Sequence, residues 1–265
     1  HRDGETMTSA RYLVVGRELD TFHAAAAAGL PVLLKGPTGS GKTRLVEHMA
    51  AVLNRPLFTV ACHEDLSAAD LVGRYLLKGG ETVWEEGPLT RAVRQGGICY
   101  LDEIVEARAD TTVVLHPLAD YRRELHLPQL GQVLKAPPEF LLAVSYNPGY
   151  QSVLKDLKAS TRQRMVAIDL SYPPAHIEQR VIIEETGVAA AVAEDLVKLA
   201  AAIRKLDTPG LPEVASTRSL VSTARLARAG LELREAARSA IARALSDEPD
   251  VVHGLCTIID AYLPA

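Results

Sequence analysis

The sequence has little of what characterises a secreted or membrane-spanning protein. It contains only three cysteines, Cys62, Cys99 and Cys256. Their odd number and the absence of Cys-x-x-Cys spacing favour a reducing cytoplasm over a fold built on disulfides. The longest apolar run, near Phe22 to Leu34, is interrupted and too short to cross a bilayer, and no secretory signal is visible. No membrane insertion is therefore expected.

Basic charge and aromatic residues are also scarce. The net charge is −4, and aromatic residues make up 5% of the 265 residues. Without a basic stripe or an aromatic platform, a nucleic-acid partner is not expected. The eight histidines show no ligand spacing such as H-E-x-x-H, which argues against a histidine-built metal site. The remaining composition, 48% hydrophobic and 23% charged, is ordinary for a globular protein.

One stretch matches the phosphate-binding pattern G-x-x-x-x-G-K-[ST] at every fixed position. Its residues are Gly36, Pro37, Thr38, Gly39, Ser40, Gly41, Lys42 and Thr43. An apolar run of strand length, 30–34, precedes it, and an amphipathic helix begins behind it, so a chance glycine-rich turn is disfavoured. Glycines let successive N–H groups curl around a phosphate, and the helix N-terminus adds donors and partial positive charge. We predict nucleotide binding, with Lys42 reaching the β- and γ-phosphates and the Thr43 hydroxyl ligating Mg²⁺.

A second apolar run, Ile98–Glu103, ends in two carboxylates. The C-terminal end of a parallel strand is where α/β sheets bind ligands. We therefore predict that Asp102 holds Mg²⁺, directly or through water, and that Glu103 is the base that orients and deprotonates the attacking water. An ordinary solvated strand end is the alternative. The spacing from the phosphate-binding loop, with one intervening strand, favours the catalytic interpretation.

Three further polar residues are candidates on weaker grounds. Asn147 follows a buried strand, Phe140–Tyr146, and its amide could position a water against the γ-phosphate, although Asn before Pro-Gly is also common turn chemistry. Arg162 and Arg164 lie at the end of a basic helix. Such arginines usually solvate a face or offset the helix dipole, but in a ring ATPase they reach the neighbouring subunit's active site.

Two insertions interrupt the α/β pattern, at about residues 66–86 and 122–136. The first carries helix signals near Ser67 and a turn at Lys78–Gly80, and the second predicts a hairpin around Pro128–Gly131. Between them, Asp110–Tyr121 has the spacing of one helix. Long connections are commonly functional. Packing on each other or on the next subunit is the alternative.

The chain divides at Pro173-Pro174, beyond which only helical patterns occur. We predict an α/β nucleotide-binding domain over residues 1–173, with a parallel sheet flanked by helices, and an all-helical lid over 174–265. Residues 1–8 are interpreted as a disordered tail or an expression remnant. Ser216 and Thr217 cap a lid helix, which places Arg218 in its first turn, against the helix dipole.

The order of these motifs resembles the ring-forming AAA+ ATPases, and the two insertions resemble the helix-2 insert and pre-sensor hairpin of their MoxR group. The likeness is closer still to the CbbQ/NorQ/NirQ branch, and most of all to CbbQ. The stretches that carry it are 60–65, 70–77, 87–90, 98–103, 106–108, 145–152 and 155–158. The likeness covers most of Leu30 to Tyr172 and weakens beyond it. Relatives tend to have an aromatic residue at the position of Met165, after the last arginine.

The resemblance implies a homo-hexameric, cytoplasmic ATPase that uses ATP and Mg²⁺. The positions that match its nucleotide-site motifs are Lys42, Thr43, Asp102, Glu103, Asn147 as sensor 1 and Arg218 as sensor 2. Arg164 resembles the arginine finger that acts on the neighbouring subunit, with Arg162 as the alternative.

The resemblance also implies a metalloenzyme client. Members like CbbQ remodel inhibited Rubisco together with a von Willebrand factor A partner of the CbbO type. For such a member, association of the protein with a Rubisco compartment is a further expectation. Members like NorQ or NirQ, with a NorD-like partner, help to activate nitric oxide reductase. The residues lean modestly towards Rubisco. Two other classes compete, a nucleic-acid motor and a P-loop kinase for small molecules. The acidic balance disfavours the motor, and the predicted lid with Arg218 disfavours the kinase.

Overall fold

The computed structural model of the chain describes residues 12–148, 159–206 and 214–264. The chain folds into two compact units. One unit comprises the residues up to Gly36 together with Gly41–Leu170, and the other comprises Pro37–Ser40 together with Ser171 onward. Residues 1–8, interpreted above as a tail, and the family-like stretch 149–158 lie outside the described residues.

A five-stranded parallel sheet forms the centre of the first unit, with strand order β2-β5-β8-β1-β9. Its strands are β1 Val32–Lys35, β2 Leu57–Ala61, β5 Ile98–Asp102, β8 Leu141–Tyr146 and β9 Val166–Asp169. The central strands β1, β5 and β8 are almost wholly buried, which explains their near-continuous apolar sequences.

Helices cover both faces of this sheet, and this confirms the predicted fold class. Along β5, Ile98 and Tyr100 share one core cluster with residues of the first two helices, whereas Cys99 and Leu101 share another with residues of the third and fourth. This alternation follows from the period of two along a strand. The helices of the unit are α1 Glu18–Ala28, α2 Lys42–Val52, α3 Ala68–Val72, α4 Pro88–Gln95, α5 Ala109–Val113, α6 His116–Ala119 and α7 Ala159–Arg162.

Each predicted insertion contains a two-stranded antiparallel hairpin. The first pairs β3 Gly73–Lys78 with β4 Glu81–Glu86, and the second pairs β6 Glu124–Leu127 with β7 Gln132–Lys135. Helix α3 leads into the first hairpin. Its N-cap Ser67 accepts a hydrogen bond from the Asp70 main-chain N–H while the Asp70 carboxylate accepts one from the Ser67 N–H, a complete capping box.

The predicted single helix over Asp110–Tyr121 is wrong. The structure has two short helices there, α5 and α6, interrupted around Val114 and Leu115. Pro117, near the start of α6, has no N–H to continue an α-helical ladder and disfavours helical geometry at the residue before it. The apolar residues therefore keep helical spacing across 110–121 although the helical hydrogen bonding is interrupted between α5 and α6.

The second unit is helical from Ala175 onward. Its helices are α8 Ala175–Thr186, α9 Ala190–Arg204, α10 Thr217–Arg228, α11 Leu233–Ala237, α12 Arg243–Leu245 and α13 Pro249–Tyr262, with a π-helical stretch Arg238–Ala242 joining α11 to α12. It has an apolar core of its own, in which Ile182, Leu196, Leu220 and Ile259 are fully buried. In the described parts of both units, no helix combines the length and the apolarity needed to cross a membrane.

Candidate active site

Three polar segments follow three neighbouring strands at the same edge of the sheet. The glycine loop follows β1, Glu103 follows β5, and Asn147 follows β8. Strand β8 lies between the other two, and its Ser145 pairs in register with Leu34 of β1. Carboxyl ends of parallel strands converge in this way at the ligand-binding edge of α/β sheets.

The glycine loop leads directly into the N-terminus of α2. Gly41, with φ 89°, is the N-cap of this helix, a left-handed conformation that glycine adopts without steric cost. Lys42 is 5% exposed, and its Nζ donates a hydrogen bond of 2.8 Å to the Gly36 carbonyl. The Ser40 hydroxyl is buried without a hydrogen-bond partner among the described residues. A phosphate oxygen in the loop would supply that partner, so the loop fits a bound nucleotide.

Glu103 lies next to this lysine. One carboxylate oxygen, Oε1, is 3.7 Å from Lys42 Nζ. The backbone of Glu103 has φ 54°, which is uncommon for a residue other than glycine and is typical of functional sites. Burial raises the pKa of the Glu103 carboxyl above its ordinary value, although the Lys42 charge and a hydrogen bond from the Asn147 main chain oppose the shift. A raised pKa suits a group that must accept a proton.

Asp102 is held by two hydroxyl groups that the sequence analysis did not identify. Tyr100 Oη donates to Asp102 Oδ1 at 2.8 Å, and Ser145 Oγ donates to the same oxygen at 2.5 Å. Ser145 Oγ also accepts the main-chain N–H of Glu103 at 3.1 Å, and Thr43 Oγ1 lies 3.4 Å from Tyr100 Oη. Burial, and then the Asp102 charge, raises the pKa of Tyr100, so its hydroxyl stays protonated.

A signal for these two hydroxyls is present in the sequence. Tyr100 stands two residues before Asp102, and Ser145 two residues before Asn147. Residues two apart on a strand face the same side. Their pairing across β5 and β8 depends on a strand order that the sequence does not display.

The donor set around Thr43 and Asp102 fits Mg²⁺. This ion binds through one or two protein oxygens together with phosphates and waters, rather than in a cage built only of side chains. Among the described residues, no group of three or more histidine, cysteine or acidic side chains is placed to hold a metal ion. The hydroxyl of Thr43 and the carboxylate of Asp102 are the side chains that would hold Mg²⁺ here.

Asn147 is 9% exposed, and its main chain contacts the Glu103 carboxylate. The two candidate finger arginines have different surroundings. The Arg162 guanidinium lies 6.0 Å from the centre of the Tyr146 ring and donates to its hydroxyl at 3.4 Å. Arg164 is 46% exposed in its side chain and lies 3.6 Å from Asp120.

Arg218 belongs to the second unit. It lies in the first turn of α10 and is exposed, and Ser216, as N-cap, accepts the main-chain N–H of Ser219 at 3.2 Å. Thr217 donates to Glu178 Oε1 at 2.6 Å, and this carboxylate also binds Arg204 in a bidentate pair of 2.7 and 2.9 Å. The start of the helix that carries Arg218 is therefore fixed by a buried ion pair.

Family models match both parts of the chain. Residues 31–165 match the AAA domain of the dynein-related subfamily, and residues 178–262 match the CbbQ/NirQ/NorQ C-terminal domain.

Three curated relatives align over nearly the whole chain. The chain is 56% identical to the denitrification regulatory protein NirQ of Pseudomonas aeruginosa, over 95% of this chain and 97% of that protein. It is 57% identical to protein NorQ of Paracoccus denitrificans, over 92% of this chain and 90% of that protein. It is 51% identical to protein CbbQ of Hydrogenophilus thermoluteolus, over 92% of this chain and 91% of that protein.

Among solved structures, a RuvB variant from Thermotoga maritima is similar in fold. The TM-score is 0.56 at 16% sequence identity, over 92% of this chain and 71% of the RuvB chain. At this identity the likeness concerns the fold alone. It agrees with the parallel sheet and the helical second unit described above.

Proposed function

The chain belongs to the CbbQ/NirQ/NorQ family of AAA ATPases, and from this premise we propose that it is a ring-forming motor that remodels a metalloenzyme client. The motor hydrolyses ATP to ADP and phosphate. The observation that carries the proposal is the approach of Lys42 Nζ to within 3.7 Å of the Glu103 carboxylate, where the strands β1 and β5 end. A phosphate-binding cation and a general base then serve one substrate.

The proposed chemistry divides among the residues of the site. The main-chain N–H groups of residues 36–43 and the Lys42 ammonium bind the phosphates, and Arg218 as sensor 2 binds the nucleotide from the lid. Glu103 accepts a proton from the attacking water, and Asn147 as sensor 1 positions that water. Thr43 and Asp102 would hold Mg²⁺, which when bound would neutralise charge that develops on the phosphates.

We assign the finger acting on the neighbouring subunit to Arg164 rather than Arg162. Arg162 is engaged by Tyr146 of its own subunit, whereas the Arg164 side chain is 46% exposed and only loosely paired, at 3.6 Å, with Asp120. Asp120 is already bound by Arg122 at 2.6 Å, so the exposed Arg164 guanidinium can leave this carboxylate for a neighbour's active site while Asp120 keeps a partner. We therefore propose a homo-hexamer in which each site is completed by the adjacent subunit.

Mixed rings test this assignment. An Arg164→Ala subunit keeps its own nucleotide site, and a Lys42→Ala subunit still supplies a finger, so mixing the two should restore part of the ATP turnover. Arg162→Ala is the matched variant, and mixing it with Lys42→Ala should restore none, because Arg162 acts within its own subunit. Recovery with Arg162→Ala but not with Arg164→Ala, in rings shown to be mixed, would reverse the assignment.

Rubisco is the first proposed client, together with a von Willebrand factor A adaptor of the CbbO type. Support comes from the CbbQ-like residues quoted above and from 51% identity to a CbbQ. Nitric oxide reductase, with a NorD-like adaptor, is the second. Identities of 56 and 57% to a NirQ and a NorQ favour it.

Reconstitution separates the clients. The protein and each adaptor are incubated with ATP and either inhibited Rubisco or inactive nitric oxide reductase, and recovered client activity is measured. Glu103→Gln is the control that binds ATP without turnover. Activation of one client with its own adaptor identifies the function. ATP hydrolysis stimulated by DNA, with neither client activated, would instead support a nucleic-acid motor.

A further inference from the structure

We propose that Tyr100 is a positioning residue of the nucleotide site. Its hydroxyl joins the Thr43 side chain to the Asp102 carboxylate and, with the Ser145 hydroxyl, fixes the orientation of that carboxylate. The inference rests on the proposed function, because Thr43 and Asp102 are there the side chains that hold Mg²⁺.

Counting protons gives the hydrogen bonds a direction. Tyr100 has one hydroxyl proton, and its shortest contact, 2.8 Å, is to Asp102 Oδ1, which can only accept. With that proton committed, the 3.4 Å contact with Thr43 has the threonine hydroxyl as its donor. The 3.1 Å approach of Tyr100 Oη to Ser145 Oγ then receives no tyrosine proton, since Ser145 itself donates to Asp102 at 2.5 Å.

In this arrangement the two carboxylate oxygens of Asp102 differ in their hydrogen bonding. Both hydroxyls bind Oδ1, whereas neither binds Oδ2. A carboxylate fixed at one oxygen presents the other in a defined direction, which is how side chains behind a metal ligand commonly orient it. The hydroxyl of Thr43, which donates to the tyrosine oxygen, is oriented by the same group.

The burial of Tyr100 and Ser145 indicates that the role of the tyrosine hydroxyl is to make these hydrogen bonds. Tyr100 and Ser145 are both fully buried, and the Tyr100 ring packs in the apolar core that includes residues of α1 and α2. Phenylalanine would fill that core equally well. A buried hydroxyl is unfavourable unless it is hydrogen bonded, and the bonds that satisfy this one lead to Thr43 and Asp102.

Tyr100→Phe removes the hydroxyl and keeps the ring. The probe is a fluorescent ADP analogue bound to the full-length protein while MgCl₂ is titrated. We expect the Mg²⁺ concentration for half-maximal binding to rise by roughly 10- to 100-fold, the usual cost of losing a group behind a metal ligand. Binding in EDTA should stay within about twofold of wild type, and turnover at saturating Mg²⁺ should largely recover. Thr90→Val, which removes an equally buried hydroxyl bonded to Val72 O, should change neither value.

Ser145→Ala provides an independent variant should Tyr100→Phe fail to fold. It removes a bond to the same Asp102 oxygen and also the acceptor of the Glu103 N–H, so it should raise the Mg²⁺ requirement and lower turnover even at saturating Mg²⁺. If either folded variant needs no more Mg²⁺ than wild type, the positioning role of the hydroxyls is wrong. If wild type itself shows no Mg²⁺-dependent nucleotide binding, the proposed function fails and not merely this inference.

Discussion

The carboxyl ends of the central strands and the β3–β4 hairpin are opposite in character although they belong to one unit. At the strand ends, the polar side chains of Tyr100 and Ser145 are fully buried. On the hairpin, the apolar side chain of Leu77 is 77% exposed and that of Tyr75 is 49% exposed. Buried polar groups and clustered exposed apolar groups are the two departures from ordinary globular packing that carry information about function.

The difference indicates that the catalytic groups and the surface that contacts other proteins lie in separate parts of the unit. Buried polar groups are stable only when hydrogen bonded, and the bonds of Tyr100 and Ser145 converge on Asp102 beside the proposed base. Apolar side chains on the hairpin have no such constraint, and their exposure leaves them available to another protein. We infer that ATP is hydrolysed at the strand ends and that the hairpin contacts the client or its adaptor.

The largest effect is expected at the strand ends. Glu103→Gln removes the proton acceptor but leaves Lys42 and the glycine loop, so ATP hydrolysis should fall by about 10²- to 10⁴-fold with nucleotide binding retained. Phosphate release and binding of a fluorescent nucleotide measure the two properties. Lys42→Ala is the comparison variant and should lose binding as well. Hydrolysis by Glu103→Gln at the wild-type rate would show that another group is the base.

The hairpin should give the converse result. Replacing Tyr75, Leu76 and Leu77 by serine should reduce client activation by tenfold or more, if the apolar side chains contribute at least about 1.4 kcal/mol of binding. Assembly into hexamers should stay near normal. The rate of ATP hydrolysis measured without client should also stay near normal, because these side chains lie outside the nucleotide site. Client reactivation, ATPase rate and ring assembly are measured on the same preparation. Full client activation by this variant would contradict the docking role.

Two single variants sharpen the test. The Tyr75 hydroxyl donates to the Gln129 carbonyl at 3.4 Å, between the β3–β4 and β6–β7 hairpins, and its ring packs against Trp84 with centroids 5.1 Å apart. Tyr75→Phe removes only the bond between hairpins, whereas Leu77→Ser removes an exposed apolar group. A client defect confined to Leu77→Ser supports docking. A client defect confined to Tyr75→Phe would support packing as the role of the β3–β4 hairpin. Failure of the triple variant to assemble into hexamers would support the same role.

The smallest effect is expected where the hairpin begins. Gly73 has φ +138°, and an added Cβ would lie 2.6 Å from Trp84 Cζ2 and 2.7 Å from the Glu85 carbonyl. Gly73→Ala should therefore destabilise the hairpin by about 1–3 kcal/mol through overpacking and backbone strain. Hydrogen exchange at the hairpin amides measures this. Gly79→Ala is the comparison variant, because its φ of +61° lies in the less strained left-handed region and an added Cβ has no neighbour within 4 Å. Equal protection in both variants would show that the crowding and the backbone strain at Gly73 are unimportant.

Much of the fold could be predicted because the strands are marked locally. The predicted run Phe140–Tyr146 is a strand from Leu141 to Tyr146, and the predicted run Ile98–Glu103 is a strand that ends one residue earlier, at Asp102. Buried parallel strands are continuous apolar runs bounded by turn residues, and both signals lie within a few consecutive residues. The helix predicted over Asp110–Tyr121 failed because apolar spacing reports which side is buried, not whether hydrogen bonding is continuous.

The sequence by itself determined the glycine loop, the carboxylate pair and their sheet context, since each is a run of neighbouring residues whose chemistry follows from its order. Only the tertiary structure decided that Ser145 and Tyr100 meet at one oxygen of Asp102, and that Arg162 is engaged by Tyr146 while Arg164 is exposed. These contacts join residues from separate strands and helices. Distances between them are set by strand order and register, which arise when the whole core packs, and no local pattern in the chain records them.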